Sequence, residues 1–197
     1  LRINGKRRYR RRSKAGRTKI PNRVPISERP EIVETRKRFG DWEADLIEGT
    51  KGSGFLLSLY ERKSRLGILR KLETKSNSET AQAIIQALSK YKVETITYDN
   101  GLEFSLHENI SKELKTAGYF CEPYHSWEKG GVENFNGLVR QYFPKGTDFS
   151  EITEKKLGEV VELLNSRPRK VLGFNSPSDL SFEFKHKEGK RREELAA

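Results

Sequence analysis

Short apolar segments along the chain predict five β-strands. Each segment is four to ten residues long and is followed by a polar, Gly-containing or Pro-containing turn, and the fourth is rich in β-branched residues. The predicted strands cover residues 40–49, 54–60, 66–72, 93–98 and 119–122. The connections between the first three are short and polar, which favours an antiparallel meander.

In other segments the apolar residues recur every three to four positions, which is the period of an α-helix. Ala81, Ile84, Ile85 and Leu88 recur at i, i+3, i+4 and i+7, so we predict a helix that begins after Ser76. Further helices are predicted over 102–117, 132–142 and 151–166. A helical crossover implies parallel pairing, which places the fourth strand beside the first. The predicted fold is α/β and ribonuclease H-like, a mixed five-stranded sheet with helices on both faces.

Charge is distributed unevenly between the start of the chain and its body. Residues 1–38 contain 15 of the 39 Lys and Arg residues but only 3 of the 28 acids, so the net charge of +11 is concentrated there. We predict a basic extended arm or linker over 1–38, a core over 39–182 and a charged tail over 183–197. A basic arm is typical of nucleic-acid binding, with a solubilising tail as the alternative. The predicted DNA contacts in the arm are Arg7, Arg8, Arg10, Arg11 and Arg12.

Composition narrows the class of protein further. No apolar run reaches the roughly 18 residues of a membrane span, and the first residues lack the apolar core of a secretory signal. The single cysteine, Cys121, cannot form an internal disulfide. We therefore predict a cytoplasmic protein that does not enter the membrane. The chain does not begin with Met, so we expect it to be part of a longer protein.

Three acids are candidates for one metal site. Asp45 lies inside the first predicted strand, Asp99 ends the fourth, and Glu133 lies near the start of a helix. Neighbouring strands are about 5 Å apart, so the two aspartates can face one point. Carboxylate oxygens are the ligands that Mg²⁺ and Mn²⁺ prefer. Taken singly, the three acids could equally be a surface strand acid, an ordinary Asp-Asn-Gly turn and a solvated helical acid.

Four segments of the chain resemble the DDE transposases, and more closely the insertion sequence thirty family, whose catalytic core is ribonuclease H-like as in the integrases. The matching segments are GDWEADLI at 40–47, YDNGLEF at 98–104, SWEKGGVENFNGLVRQYFPKGTD at 126–148 and NSRPRK at 165–170. Two positions depart from the usual pattern, because Ala44 stands where Gly is common and Gly131-Val132 replaces Thr-Asn. The family's N-terminal helix-turn-helix region is not found in this chain.

The resemblance implies a function and a site. Asp45, Asp99 and Glu133 would be the catalytic and metal-binding triad, holding two Mg²⁺ or Mn²⁺ ions. The implied activity is DNA strand cleavage at the ends of a mobile element, followed by strand transfer into target DNA. The implied partners are those DNA segments and further copies of the chain, assembled on DNA in a bacterial nucleoid. The alternatives are a decayed DNA-binding regulatory relic and a nuclease that does not join strands.

Supporting residues surround the predicted triad. Asn134 is adjacent to Glu133, while Asn136 and Arg140 lie three and seven positions beyond it on one helix face. Asn136 and Arg140 could orient the carboxylate or contact phosphate, or they could simply face solvent. The remaining predicted DNA contacts, each of which could equally be a solvated charge, are Lys129, Lys145, Arg167 and Arg169, together with Arg140.

Overall fold

The computed structural model describes residues 20–122 and 126–181. Its centre is a five-stranded sheet with the strand order β3-β2-β1-β4-β5. The strands are β1 Asp41–Glu48, β2 Phe55–Glu61, β3 Gly67–Leu72, β4 Thr95–Tyr98 and β5 Ala117–Phe120. The predicted mixed five-stranded sheet is confirmed, although β4 starts two residues later than predicted and β5 lies two residues earlier.

The strand register brings the two predicted catalytic aspartates to one region of the sheet. β1 runs antiparallel to β2, so that Asp45 lies opposite Ser58. β1 runs parallel to β4, with Glu43 opposite Thr97. Asp45 is two residues beyond Glu43, and Asp99 is two residues beyond Thr97. Asp45 in β1 and Asp99, the residue directly after β4, are therefore at equivalent heights along adjacent parallel strands.

Six α-helices accompany the sheet within the described ranges. They are α1 Ile32–Thr35, α2 Asn77–Leu88, α3 His107–Leu114, α4 Gly130–Tyr142, α5 Glu154–Asn165 and α6 Pro177–Ser181. The single helix predicted over 102–117 is wrong. A 3-10 turn at Leu102–Phe104 precedes α3, and Lys115 ends α3 in a left-handed conformation with φ 52°. That reversal lets the chain enter β5 directly, so Gly118 is a strand residue rather than a helix cap.

Each face of the sheet packs against its own helices. Leu57 and Leu59 belong to a core that contains residues of α2 and α3. Leu56 and Tyr60 alternate with them and belong to a second core that contains residues of α4 and α5. The period-two alternation of β2 thus supplies both cores. This arrangement confirms the prediction that helices cover both faces.

Residues 20–38, the second half of the predicted arm, pack against the sheet. Val33 in α1 is fully buried, and the backbone N–H of Phe120 in β5 donates to the carbonyl of Val24. Arg29 donates to the hydroxyl of Thr97 at 2.7 Å. This segment therefore has contacts that a detached extended arm would lack. The first nineteen residues and the predicted tail over 183–197 lie outside the described residues, so the domain boundaries stay predictions.

No helix in the described part of the chain is long and apolar enough to cross a membrane.

Candidate active site

Asp45 and Asp99 share one cation, the ammonium of Lys129. Nζ of Lys129 lies 3.0 Å from Oδ1 of Asp45 and 3.6 Å from Oδ2 of Asp99. The same nitrogen donates to the carbonyl oxygen of Ala44 at 3.2 Å. The lysine side chain is 5% exposed, whereas the carboxylates of Asp45 and Asp99 are 21% and 40% exposed. The two carboxylates are thus accessible to solvent on one side, and on the other side they contact the buried ammonium of Lys129.

The charge on Lys129 is maintained by its two neighbours. Burial alone lowers the pKa of a lysine, because it disfavours the charged form. The carboxylates of Asp45 and Asp99 outweigh that effect and hold the pKa of Lys129 above its ordinary value. The ammonium therefore stays protonated at neutral pH and balances part of the negative charge of the pair.

Hydrogen bonds orient both carboxylates. Asn136 on α4 donates from Nδ2 to Oδ2 of Asp45 at 2.7 Å. Oδ1 of Asp99 accepts the backbone N–H of Gly101 at 2.8 Å, which closes the turn after β4. The turn interpretation of Asp99 is therefore correct and compatible with a role in the site. Since Asn136 already contacts Asp45, α4 lies directly beside the acid pair.

Glu133 does not join the pair in this conformation. Its side chain is exposed and forms no hydrogen bond or ion pair with any residue in 20–122 or 126–181. Within those ranges no cluster of three or more Asp, Glu, His or Cys side chains is arranged to hold a metal. Glu133 lies one helical turn before Asn136, on the face of α4 that contacts Asp45. Three carboxylates in one place repel one another unless cations lie between them.

The position of α4 is fixed by Glu43, which sequence reasoning did not identify. Glu43 is fully buried on β1, and its Oε2 accepts the backbone N–H of Val132 in the first turn of α4 at 2.7 Å. Its other oxygen accepts from Nη1 of Arg62 at 2.6 Å. A carboxylate at a helix N-terminus satisfies a free N–H and complements the helix dipole. A signal was available in the sequence, because Asp41, Glu43 and Asp45 recur at period two in β1, and acids on one face of a strand repel one another unless a cation lies between them.

Gly131 allows this close approach of helix and sheet. A Cβ at Gly131 would lie 2.6 Å from the ring of Tyr60 and 2.8 Å from Oε2 of Glu43. A Cβ at Gly130 would meet nothing within 4 Å. Both glycines belong to α4, which therefore begins two residues before the predicted start at Val132. The close packing of the helix start on Tyr60 and Glu43 therefore requires glycine at position 131.

The predicted DNA-binding residues occupy several environments. Lys145 and Arg167 are exposed, as expected for phosphate contacts. Arg140 donates to the carbonyl of Glu48 at 2.7 Å, and Arg169 donates to the carbonyl of Leu164 at 3.1 Å. Lys129 is committed to the acid pair, so in this conformation it is not offered to DNA. The arginines at 7, 8, 10, 11 and 12 lie outside the described residues, and DNA contact by any of these residues stays a prediction.

The fold is ribonuclease H-like and matches that of integrase catalytic cores. The catalytic core domain of BIV integrase has a TM-score of 0.56 and 22% identity, covering 73% of this chain and 93% of that one. The simian T-cell lymphotropic virus intasome, solved in complex with PP2A regulatory subunit B56 gamma, has a TM-score of 0.60 and 17% identity, with coverages of 72% and 54%. At these identities the likeness concerns the fold alone.

Sequence comparison identifies the closer relationship: this chain is a homologue of the IS30-family transposases. It is 50% identical over 182 residues to the transposase for insertion sequence element IS4351 of Bacteroides fragilis, covering 91% of this chain and 56% of the relative. It is 37% identical over 177 residues to the transposase InsI for IS30C of Escherichia coli (strain K12), with coverages of 88% and 46%. The predicted resemblance is confirmed. The chain spans about half the length of these curated relatives, and no family model matches it.

Proposed function

We propose that this chain is the catalytic domain of a transposase that cleaves DNA strands at the ends of a mobile element and transfers them into target DNA. The observation that carries the proposal is the convergence of Asp45 and Asp99 on one cation, Nζ of Lys129. One acid in β1 and one directly after the adjacent parallel strand β4, with a cation between them, form a site suited to binding divalent metal. The homology to IS30-family transposases supports the same activity.

The residues present fit divalent metal ions. The donor set consists of carboxylate oxygens, which Mg²⁺ and Mn²⁺ prefer, and the ammonium of Lys129 marks a position where positive charge is already stabilised. Asp45 and Asp99 would hold the metal, and Glu133 would complete the set from α4. When bound, two such ions supply Lewis-acid stabilisation of the charge that develops on the attacking and leaving oxygens of a phosphoryl transfer.

The other residues of the site act by positioning these acids. Asn136 orients Asp45 through its 2.7 Å hydrogen bond, leaving the second oxygen of that carboxylate toward Lys129. Glu43 anchors the first turn of α4, and thereby sets how far Glu133 stands from the sheet. Exposure of the carboxylates at 21% and 40% leaves room for a phosphodiester to approach from solvent.

The proposed partners are element-end DNA and target DNA, bound by several copies of the chain together. The basic balance of residues 1–38 supports electrostatic association with DNA. The retroviral structure of similar fold is an intasome, which is consistent with joint assembly of copies on DNA. We place this activity in the bacterial cytoplasm, on the nucleoid.

Single substitutions Asp45→Asn, Asp99→Asn and Glu133→Gln test the proposal. Each should abolish Mg²⁺- or Mn²⁺-dependent cleavage and joining, measured with labelled element-end DNA, while leaving DNA affinity nearly unchanged. Glu159→Gln, an exposed acid on α5, is the matched control and should retain activity. Wild-type protein that binds element ends but never nicks them with either metal would favour the regulatory relic. Cleavage without products inserted into a second DNA would favour the nuclease.

A further inference from the structure

Arg36 and Arg65 lie near the first turn of α4, on the side of that turn that faces β2. Arg65, in the turn after β2, donates from Nη1 to the hydroxyl of Tyr60 at 3.2 Å. The ring of Tyr60 lies directly under Gly131. Arg36, just after α1, lines a cleft of about 330 Å³ whose other lining residues are Ile26, Arg29, Glu34, Arg62, Glu128 and Gly130. Both guanidinium groups therefore border the helix that carries Glu133.

Two further arginines reach the same region from the segment after α5. Asn165, the last residue of α5, receives the N–H of Gly67 at 2.9 Å and donates to its carbonyl at 2.7 Å. These bonds tie the end of α5 to the first residue of β3, immediately beyond the turn that carries Arg65. Arg167 and Arg169 follow at once. We call Arg36, Arg65, Arg167 and Arg169 the arginine patch.

The positive charge of the arginine patch is only partly balanced by acids: Glu34 and Glu128 line the cleft beside Arg36, and the charge of Glu43 also acts on that arginine. None of its four members forms an ion pair with an acid in the part of the chain that the structure describes, whereas Arg62 pairs with Glu43 and Glu34. Nε of Arg169 is buried and has no hydrogen-bond partner among the same residues. The patch therefore keeps guanidinium groups that no carboxylate contacts directly, although the buried Nε of Arg169 is not itself open to a ligand.

The members of the patch are close enough to repel one another. Burial lowers the pKa of Arg36, and the charges of Arg65 and Arg62 lower it further. Burial likewise lowers the pKa of Arg169, and Arg167 and Arg65 add to that effect. Like charges held together destabilise a folded chain, and a polyanion that binds across them removes the repulsion.

Arg36 and Arg65 both lie in chain reversals. Arg36 has φ 53° and is the C-cap of α1, and Arg65 has φ 64° in the turn after β2. Their N–H groups donate to the carbonyls of Val33 and Glu61. These turns place both side chains beside the start of α4.

We propose that the arginine patch binds the phosphate backbone of DNA next to the acid pair. Arginine donates two parallel hydrogen bonds to a phosphate group, which fits an unpaired cluster of this kind. Tyr60, which holds Arg65, lies opposite Glu43 on β1, two residues or about 7 Å along the strand from Asp45. DNA held on the patch would reach the acids across the first turn of α4. The choice of DNA as the ligand rests on the proposed function.

The test is a comparison of two double variants in metal-free DNA binding. Arg36→Gln with Arg65→Gln removes two patch charges. Lys112→Gln with Lys115→Gln removes two exposed charges near α3, on the other side of the sheet, and Lys115 also has a left-handed backbone with φ 52°. Affinity for a duplex of unrelated sequence is measured by fluorescence anisotropy in EDTA over a series of salt concentrations.

The patch variant should bind about tenfold more weakly near 0.1 M salt, and its slope of log affinity against log salt should fall by about two. The lysine control should match wild type. Equal slopes for the patch variant and the control would overturn the inference. Because metal is absent, loss of catalysis does not enter this measurement, whereas wild-type protein that binds no DNA would refute the proposed function itself.

The thermal unfolding temperature of each variant shows whether the variant is folded. Removing mutually repelling charges should leave the unfolding temperature equal to that of wild type or higher. If the double variant does not fold, Arg167→Gln repeats the test at an exposed loop position, with an expected slope change of about one. An unchanged slope there would likewise overturn the inference.

Discussion

Replacing Lys129 by Met should make the acid pair bind divalent metal more tightly. The ammonium lies 3.0 Å from Asp45 and 3.6 Å from Asp99, where a metal ion bound to both acids would have to compete with it. With the dielectric constant of water, Coulomb's law gives about 1.4 and 1.2 kcal/mol for these two distances. The sum, about 2.5 kcal/mol, corresponds to roughly 70-fold in an affinity constant.

The net effect should be smaller, because a displaced ammonium regains hydration that its burial had removed. We therefore expect Mn²⁺ to bind Lys129→Met about tenfold more tightly than wild type, measured by isothermal titration calorimetry. Without metal, the variant should unfold at a lower temperature, since the two carboxylates lose their shared counter-charge. The exposed Lys145→Met is the matched control and should change neither quantity.

Unchanged or weaker Mn²⁺ binding by Lys129→Met would refute the reasoning. Such a result would mean that the ammonium does not compete for the metal position and acts there by supporting the geometry of the two aspartates. The calorimetric measurement needs no DNA and no turnover, so it is independent of whether the protein cleaves or joins strands.

Two further predictions concern packing and protonation. Gly131→Ala should lower the free energy of unfolding, measured by urea titration, by about 1–3 kcal/mol, because the new Cβ would lie 2.6 Å from the Tyr60 ring. Gly130→Ala is the control and should be neutral or slightly stabilising, because a Cβ there meets open space. Equal effects of the two substitutions would show that the packing of the helix start on Tyr60 is not rigid. Burial raises the pKa of Cys121 to about 12, so the folded protein should react slowly with a thiol reagent at pH 8 and the unfolded protein quickly. The thiol of the unfolded chain ionises near pH 8.5, whereas the buried thiol stays neutral up to about pH 12. The stability that the buried neutral thiol contributes is therefore present below pH 8.5 and is lost as the pH rises toward 12, by up to about 1.4 kcal/mol per pH unit. Fast labelling of the folded protein at pH 8 would contradict the burial of this thiol.

The apolar periodicity was sufficient to predict the sheet. Strands and helices bury different repeats, so period two and period 3.6 can be distinguished from the sequence. The crossover rule then placed β4 beside β1, and with it Asp99 beside Asp45. Element ends were less certain, because they depend on single backbone conformations such as the left-handed Lys115 that ends α3.

What only the tertiary structure decided is which side chains neutralise which charges. Lys129 contacts Asp45 across 84 positions of sequence, and Glu43 holds the N–H of Val132 across 89. No local pattern encodes such pairs, because they arise only when α4 is packed on the sheet. Sequence alone therefore determined the fold and the pair of strand-borne acids. The three-dimensional packing decided that a lysine lies between those acids and that Glu133 stands apart from them, since buried charges must find partners while an exposed one need not.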